Sequence, residues 1–192
     1  EATLAAAAVT YLEGYLYDPP AAKRAFLAAS AAAHGAGRMV ALSLSDPFCV
    51  DRHRASFLDL VGNHVDLLFA NEAELCALYQ TDDFDAALRA VRGHCRAAAV
   101  TRGAKGSVVV SGDDVVVVDA GAVSKVVDTT GAGDLYAAGF LYGFTTRQPL
   151  ARCAELGGIA AAEIISHFGA RPERPLADLI AVQPSAAGVT HP

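Results

Sequence analysis

Short apolar runs that alternate with longer amphipathic stretches decide what this 192-residue chain can fold into. The runs Val9–Leu16, Arg38–Ser45, Val65–Ala70 and Ala97–Thr101 are rich in Val, Leu and Ala. Between them lie stretches with helical signals: prolines near a start (Pro19, Pro20), glycine at an end (Gly35, Gly37), and apolar residues three and four apart. Strands that are nearly continuously apolar, each followed by a helix, predict an α/β fold with a parallel sheet covered by helices on both faces. Two valine-rich runs around Gly112-Asp113-Asp114 predict a β-hairpin, and helices are expected near residues 131–146 and 150–167. No repeat or internal linker interrupts the pattern, so residues 1–184 read as one domain, and the polar, proline-containing end at 185–192 reads as a flexible tail.

Composition removes several function classes. The net charge of −6 and the lack of a basic tract count against nucleic-acid binding. No apolar run reaches the roughly 18–20 residues of a membrane span. Cys49, Cys76, Cys95 and Cys153 form no CxxC pair and have no histidine at zinc spacing, which fits reduced thiols in a cytoplasmic protein.

In folds of this class, ligands bind beyond the carboxyl ends of the strands. The post-strand segments are Glu13-Gly14-Tyr15, Asp46-Pro47-Phe48-Cys49, Asn71-Glu72-Ala73-Glu74 and Thr101-Arg102-Gly103-Ala104-Lys105-Gly106. The richest lies after the hairpin: Asp128-Thr-Thr-Gly-Ala-Gly-Asp-Leu-Tyr-Ala-Ala-Gly-Phe140. It has the look of a helix start, where the first amides lack intrahelical partners and the dipole attracts anions. Gly131 and Gly133 let a phosphate approach the backbone, and Asp134 then stands beside it. An anion site next to a carboxylate suits phosphoryl transfer to a hydroxyl, with the amides stabilising charge and the acid accepting the proton. A lone Gly-x-Gly-Asp also suits an acid that merely complements a helix dipole. The segment is neither a Walker A loop nor GxGxxG, which counts against a dinucleotide-binding oxidoreductase.

The whole 128–140 segment resembles the C-terminal signature DTxGAGDxFxxGF of the ribokinase-like (PfkB) family of carbohydrate and nucleoside kinases, with Tyr136 in the usual phenylalanine position. Asn71-Glu72-Ala73-Glu74 resembles that family's N-x-x-E motif, and Val100–Gly106 its VTxGxxG loop. The resemblance implies a three-layer αβα core and ATP-dependent phosphorylation of a hydroxymethyl group. In it Asp134 is the general base, and Gly131, Ala132 and Gly133 form the anion hole. It further implies that Asn71 and Glu74 act on Mg²⁺ through water, and that Thr101, Gly103 and Gly106 border the nucleotide. Asp128 and Thr130 are expected at a monovalent-cation site of the K⁺ type, with Gly169 and Ala170 opposite, or in a purely structural role. His167 either approaches the adenine or simply ends its helix.

"LSLSDPFC", "LLFANEAEL" and "YLEGYL" are similar to the adenosine-kinase-like branch, although Asp46 stands where a small residue is expected. The acceptor is therefore expected to be a nucleoside of adenosine type. The alternatives are a sugar of ribose, fructose or ketodeoxygluconate type, or nucleotide binding without turnover. Family members carry further N-terminal strands, a β lid and a Gly-Gly substrate motif that are not found in these residues. The chain accordingly reads as the C-terminal two-thirds of such a kinase, truncated at the N-terminus, lid absent, and inactive by itself. A homodimer is expected of the full-length protein.

Overall fold

Six strands form one sheet whose spatial order, β1 to β6, repeats the order along the chain. They are β1 (Val9–Glu13), β2 (Met39–Ser43), β3 (Leu67–Asn71), β4 (Ala97–Thr101), β5 (Ser107–Ser111) and β6 (Asp114–Val118). The structure is a computed structural model and describes residues 2–182; the tail expected at 185–192 lies outside the described residues. Strands β1 to β4 are parallel, β5 pairs antiparallel with β4, and β6 pairs antiparallel with β5 through the hairpin at Gly112-Asp113. The expected α/β class with a mostly parallel sheet is thus the observed one.

The helices between these strands are α2 (Pro20–Gly35), α3 (Pro47–Asn63), α4 (Glu72–Tyr79) and α5 (Phe84–Val91), preceded by the short α1 (Ala2–Ala6). Right-handed crossovers that always step the same way across a sheet place their helices on the same face. Accordingly Val40, Leu42, Leu68, Ala70, Ala98 and Val100 share one cluster with Phe26, Phe57, Leu60, Leu75, Leu78 and Leu88 from those helices. The alternate residues Ala41, Leu67, Phe69, Ala97 and Ala99 make the second face apolar as well, the pattern of a sheet meant for burial on both sides.

The first strand is shorter than its apolar run. It ends at Glu13, and Gly14–Tyr17 turns as a 3₁₀ helix. A Cβ on Gly14 would stand 2.7 Å from the carbonyl oxygens of Ser43 and Leu44. The chain crosses the end of β2 there at a distance only glycine allows, which overrides the strand propensity of Tyr15 and Leu16.

The chain divides into two compact units, Glu1–Val118 and Asp119–Pro192. The second holds α6 (Ala132–Thr145), α7 (Leu150–Ile164) and α8 (Leu176–Val182). Helices α6 and α7 pack as a close antiparallel pair. A Cβ on Gly139 would lie 2.4 Å from the Leu156 carbonyl oxygen, one on Gly143 3.0 Å from Cys153 Cα, and one on Gly157 2.7 Å from the Tyr136 carbonyl oxygen. Gly139 therefore serves helix packing, not chemistry, although it belongs to the signature segment. Gly139→Ala is expected to destabilise the chain by about 1–3 kcal/mol through overpacking against backbone that cannot retreat. A denaturant melt with an unchanged midpoint would contradict this.

Candidate active site

Gly131 opens α6 in the left-handed region, with φ 79°. Its conformation lets the chain turn from the irregular 119–130 segment straight into the helix axis. The Ala132 amide donates to the Thr129 carbonyl (3.1 Å) and the Leu135 amide to the Gly131 carbonyl (2.9 Å). The amides of Gly131, Gly133 and Asp134 make no such bond among the described residues. Unpaired first-turn amides at the positive end of a helix dipole are anion donors. Asp134 is exposed in that same turn, and its carboxylate has no hydrogen-bond partner among the described residues.

The two glycines differ in what they do for the fold. A Cβ on Gly131 would stand 3.2 Å from Ala170 Cβ on a backbone already at positive φ, whereas a Cβ on Gly133 meets no atom within 4 Å. Glycine inside a helix costs about 1 kcal/mol relative to alanine, so no packing contact among the described residues favours it at 133. Gly133→Ala is expected to leave the melting temperature equal or raised while weakening ATP binding. Gly131→Ala is expected to lower stability by about 1 kcal/mol or more. Paired thermal melts and ATP titrations separate the two effects, and equal behaviour of the two variants would contradict the assignment.

Asp128 holds this loop together. Its Oδ1 accepts from the Thr130 amide (2.9 Å) and hydroxyl (2.7 Å), and its Oδ2 from the Gly169 amide (3.0 Å). The Gly169 amide first, then the two Thr130 donors, hold its carboxyl down at about 2. The Val127 amide donates to the Ile165 carbonyl (2.8 Å), so the approach to the loop is tied to the end of α7 as well.

In the first unit, Asn71 and Thr101 are partners in the β3–β4 register, which brings the N-x-x-E segment and the 101–106 loop to one strand edge. Asn71 caps α4: its Oδ1 accepts from the Glu74 amide (2.9 Å), and Glu74 Oε2 accepts from the Asn71 amide (2.9 Å). Asn71 Nδ2 donates to Glu74 Oε1 at 2.7 Å. This is a capping box. Glu74 is only 6% exposed. Burial, with smaller repulsion from Asp46 and Glu13 and against the Asn71 amide, pushes its carboxyl up to about 7. Gly103 (φ 57°) and Gly106 (φ 79°) shape the loop after β4, closed by the Arg102 amide on the Gly106 carbonyl at 2.8 Å. Among the described residues no group of three His, Cys, Asp or Glu side chains could hold a metal ion by itself.

Other polar side chains have internal partners. His167 Nε2 lies 3.2 Å from Glu163 Oε1 and its Nδ1 3.3 Å from the Phe168 carbonyl, so the ring faces the end of α7. Asp46 caps α3 through the Cys49 amide (2.8 Å). Arg52 and His53 both bind Asp18, His53 at 2.7 Å.

Two features escape a sequence reading. Arg102 occupies an unspecified position of the loop pattern, yet it grips Glu72 with two bonds of 3.1 Å and lies 4.0 Å over the Phe84 ring. It thereby ties the 101–106 loop to the first turn of α4 and the start of α5. Ser45, with φ 70°, is a strained residue after β2 whose hydroxyl donates to Glu13 Oε2 (3.0 Å). Helix-forming and loop-forming composition carries no mark of either contact.

The chain belongs to the pfkB family of carbohydrate kinases, which it matches over residues 1–176. It is 49% identical to adenosine kinase from Sinorhizobium meliloti, with a TM-score of 0.92 over 94% of this chain and 56% of that one. A probable sugar kinase from Rhizobium etli CFN 42 is 48% identical, with a TM-score of 0.91 over 93% of this chain and 55% of that one. An uncharacterized sugar kinase from Archaeoglobus fulgidus is 35% identical across 118 residues, 62% of this chain and 47% of that protein. The chain thus spans about half the length of these relatives.

Proposed function

We propose that the protein carrying this chain transfers the γ-phosphoryl group of ATP to a hydroxymethyl group of a nucleoside of adenosine type. The observation that carries this reading is the α6 N-terminus: three amides, at Gly131, Gly133 and Asp134, unbonded among the described residues, beside an exposed Asp134 carboxylate that likewise has no partner among them. The 49% identity to an enzyme named adenosine kinase supports the choice of acceptor. A sugar acceptor is the second reading, favoured by the likeness to proteins named sugar kinases.

In this mechanism the Asp134 carboxylate accepts the proton of the acceptor hydroxyl. The hydroxyl oxygen forms a bond to the γ-phosphorus as the bond to the β–γ bridging oxygen breaks, releasing ADP. The amides of Gly131 and Gly133 meet the charge of the phosphoryl oxygens, and positioning supplies most of the acceleration. Thr101, Gly103 and Gly106 border the nucleotide. Magnesium keeps most of its waters and takes few carboxylates. Asn71 and Glu74, already bonded to each other, fit a role on its water shell better than direct ligation. A cation there also suits Glu74, whose ionised form burial disfavours. Asp128 and Thr130 act first as the loop's clamp, and any K⁺ near them would rely on backbone oxygens. His167 lies past the end of α7 and turns back onto Glu163.

The test is a chimera in which this chain replaces the matching part of the S. meliloti enzyme, assayed for ATP consumption with adenosine, ribose, fructose or no acceptor. Adenosine-dependent ADP release supports the reading. ADP release only with a sugar selects the second reading, and none with any acceptor overturns both.

A further inference from the structure

Glu163 belongs to no recognised motif, yet it is the most deeply buried acid of the second unit. It lies in the last turn of α7 with its side chain 4% exposed. A carboxylate is disfavoured both by burial and by the negative end of a helix dipole, so helix stability does not explain it. Its Oε1 accepts from the amides of Glu173 (2.9 Å) and Arg174 (3.0 Å) and lies 3.2 Å from His167 Nε2. Its Oε2 is buried with no hydrogen-bond partner among the described residues. These bonds fold residues 167–174 back onto the end of the helix they have just left.

That returning segment meets the anion loop at two points. The Gly169 amide donates to Asp128 Oδ2 at 3.0 Å. Ala170 stands against Gly131, where even a Cβ would come within 3.2 Å. Asp128 in turn fixes the Thr130 amide and hydroxyl through its other oxygen. A continuous series of contacts therefore runs from Glu163, through 173–174 and 169–170, to Asp128 and Gly131.

We propose that Glu163 is a positioning residue for phosphoryl transfer: by anchoring residues 167–174 it holds Asp128 and Gly131, and hence the α6 amides, in the geometry that receives phosphate. The inference rests on reading residues 131–134 as the phosphate loop. Glu163 acts through the segment and touches no reacting group.

Reach and charge can be separated by two conservative variants. Glu163→Gln keeps an oxygen at the same distance from the two amides and removes the charge. Glu163→Asp keeps the charge and draws the oxygens back by one methylene. Amide hydrogen exchange in the chimera reads the loop at Thr130 and Gly169, with Val100 in β4 as a control, and an ATP titration reads its consequence. Glu163→Asp is expected to speed exchange at Thr130 and Gly169 by about tenfold or more without changing Val100. It should also weaken ATP binding about tenfold, while Glu163→Gln stays within about threefold of the parent in both measurements. Unchanged exchange at Thr130 and Gly169 in the Asp variant overturns the proposal, as does acceleration shared by Val100, which marks general destabilisation. Faster loop exchange with unaltered ATP affinity would leave the brace standing and sink the phosphate assignment of 131–134 instead.

Discussion

Asp134→Asn in the chimera is expected to lower turnover by about 10²–10⁴-fold, the range a general base contributes, and to leave ATP affinity nearly unchanged. Asn is isosteric and keeps the backbone amide at 134, so the anion donors of the first turn survive the substitution. What it loses is the ability to take the hydroxyl proton. Asp134 has no internal partner among the described residues, so no buried group is orphaned and the fold should not weaken. The split between turnover and binding is the informative result. Retention of more than about a third of the parent rate would remove Asp134 from the role of base.

The second large effect concerns Glu74 and pH. Its carboxyl sits at about 7 in the folded chain against an ordinary 4.5, chiefly through burial. Between those values the folded state holds a proton that the unfolded state has released, so stability is fully present below 4.5 and falls as pH rises towards 7. The difference is on the order of 3 kcal/mol. In metal-free buffer the parent should therefore lose stability relative to Glu74→Gln from pH 5 to 8, because Gln cannot ionise. Denaturant melts of both proteins across that range decide it, and parallel pH profiles would show that Glu74 is not held in the buried, proton-retaining state described.

Much of this architecture was legible beforehand because it depends on local pattern. The strand Ala97–Thr101 and the hairpin follow from their own residues, and Pro20, Asn71 and Gly131 mark the starts of α2, α4 and α6. The glycine-rich helix start with Asp134 in its first turn was legible too, as a local pattern. Contacts between distant residues were not. The early end of β1 depends on carbonyls thirty residues away, and the packing role of Gly139 depends on α7. The grip of Arg102 on Glu72 and the anchoring by Glu163 likewise join residues whose individual identities are unremarkable on a helix or loop. His167 shows the opposite failing. A polar residue beside the signature loop invites a ligand role, but its nitrogens already have partners in the chain.

Backbone amide shifts read most directly whether the first turn of α6 receives phosphate. The chimera, labelled with ¹⁵N-glycine and ¹⁵N-aspartate, is titrated with ATP, and Gly131, Gly133 and Asp134 are followed against the remaining labelled amides. Large, saturating shifts are expected at these three positions on the same binding curve as turnover. Saturable ATP binding that leaves all three amides unmoved would contradict phosphate binding at this turn.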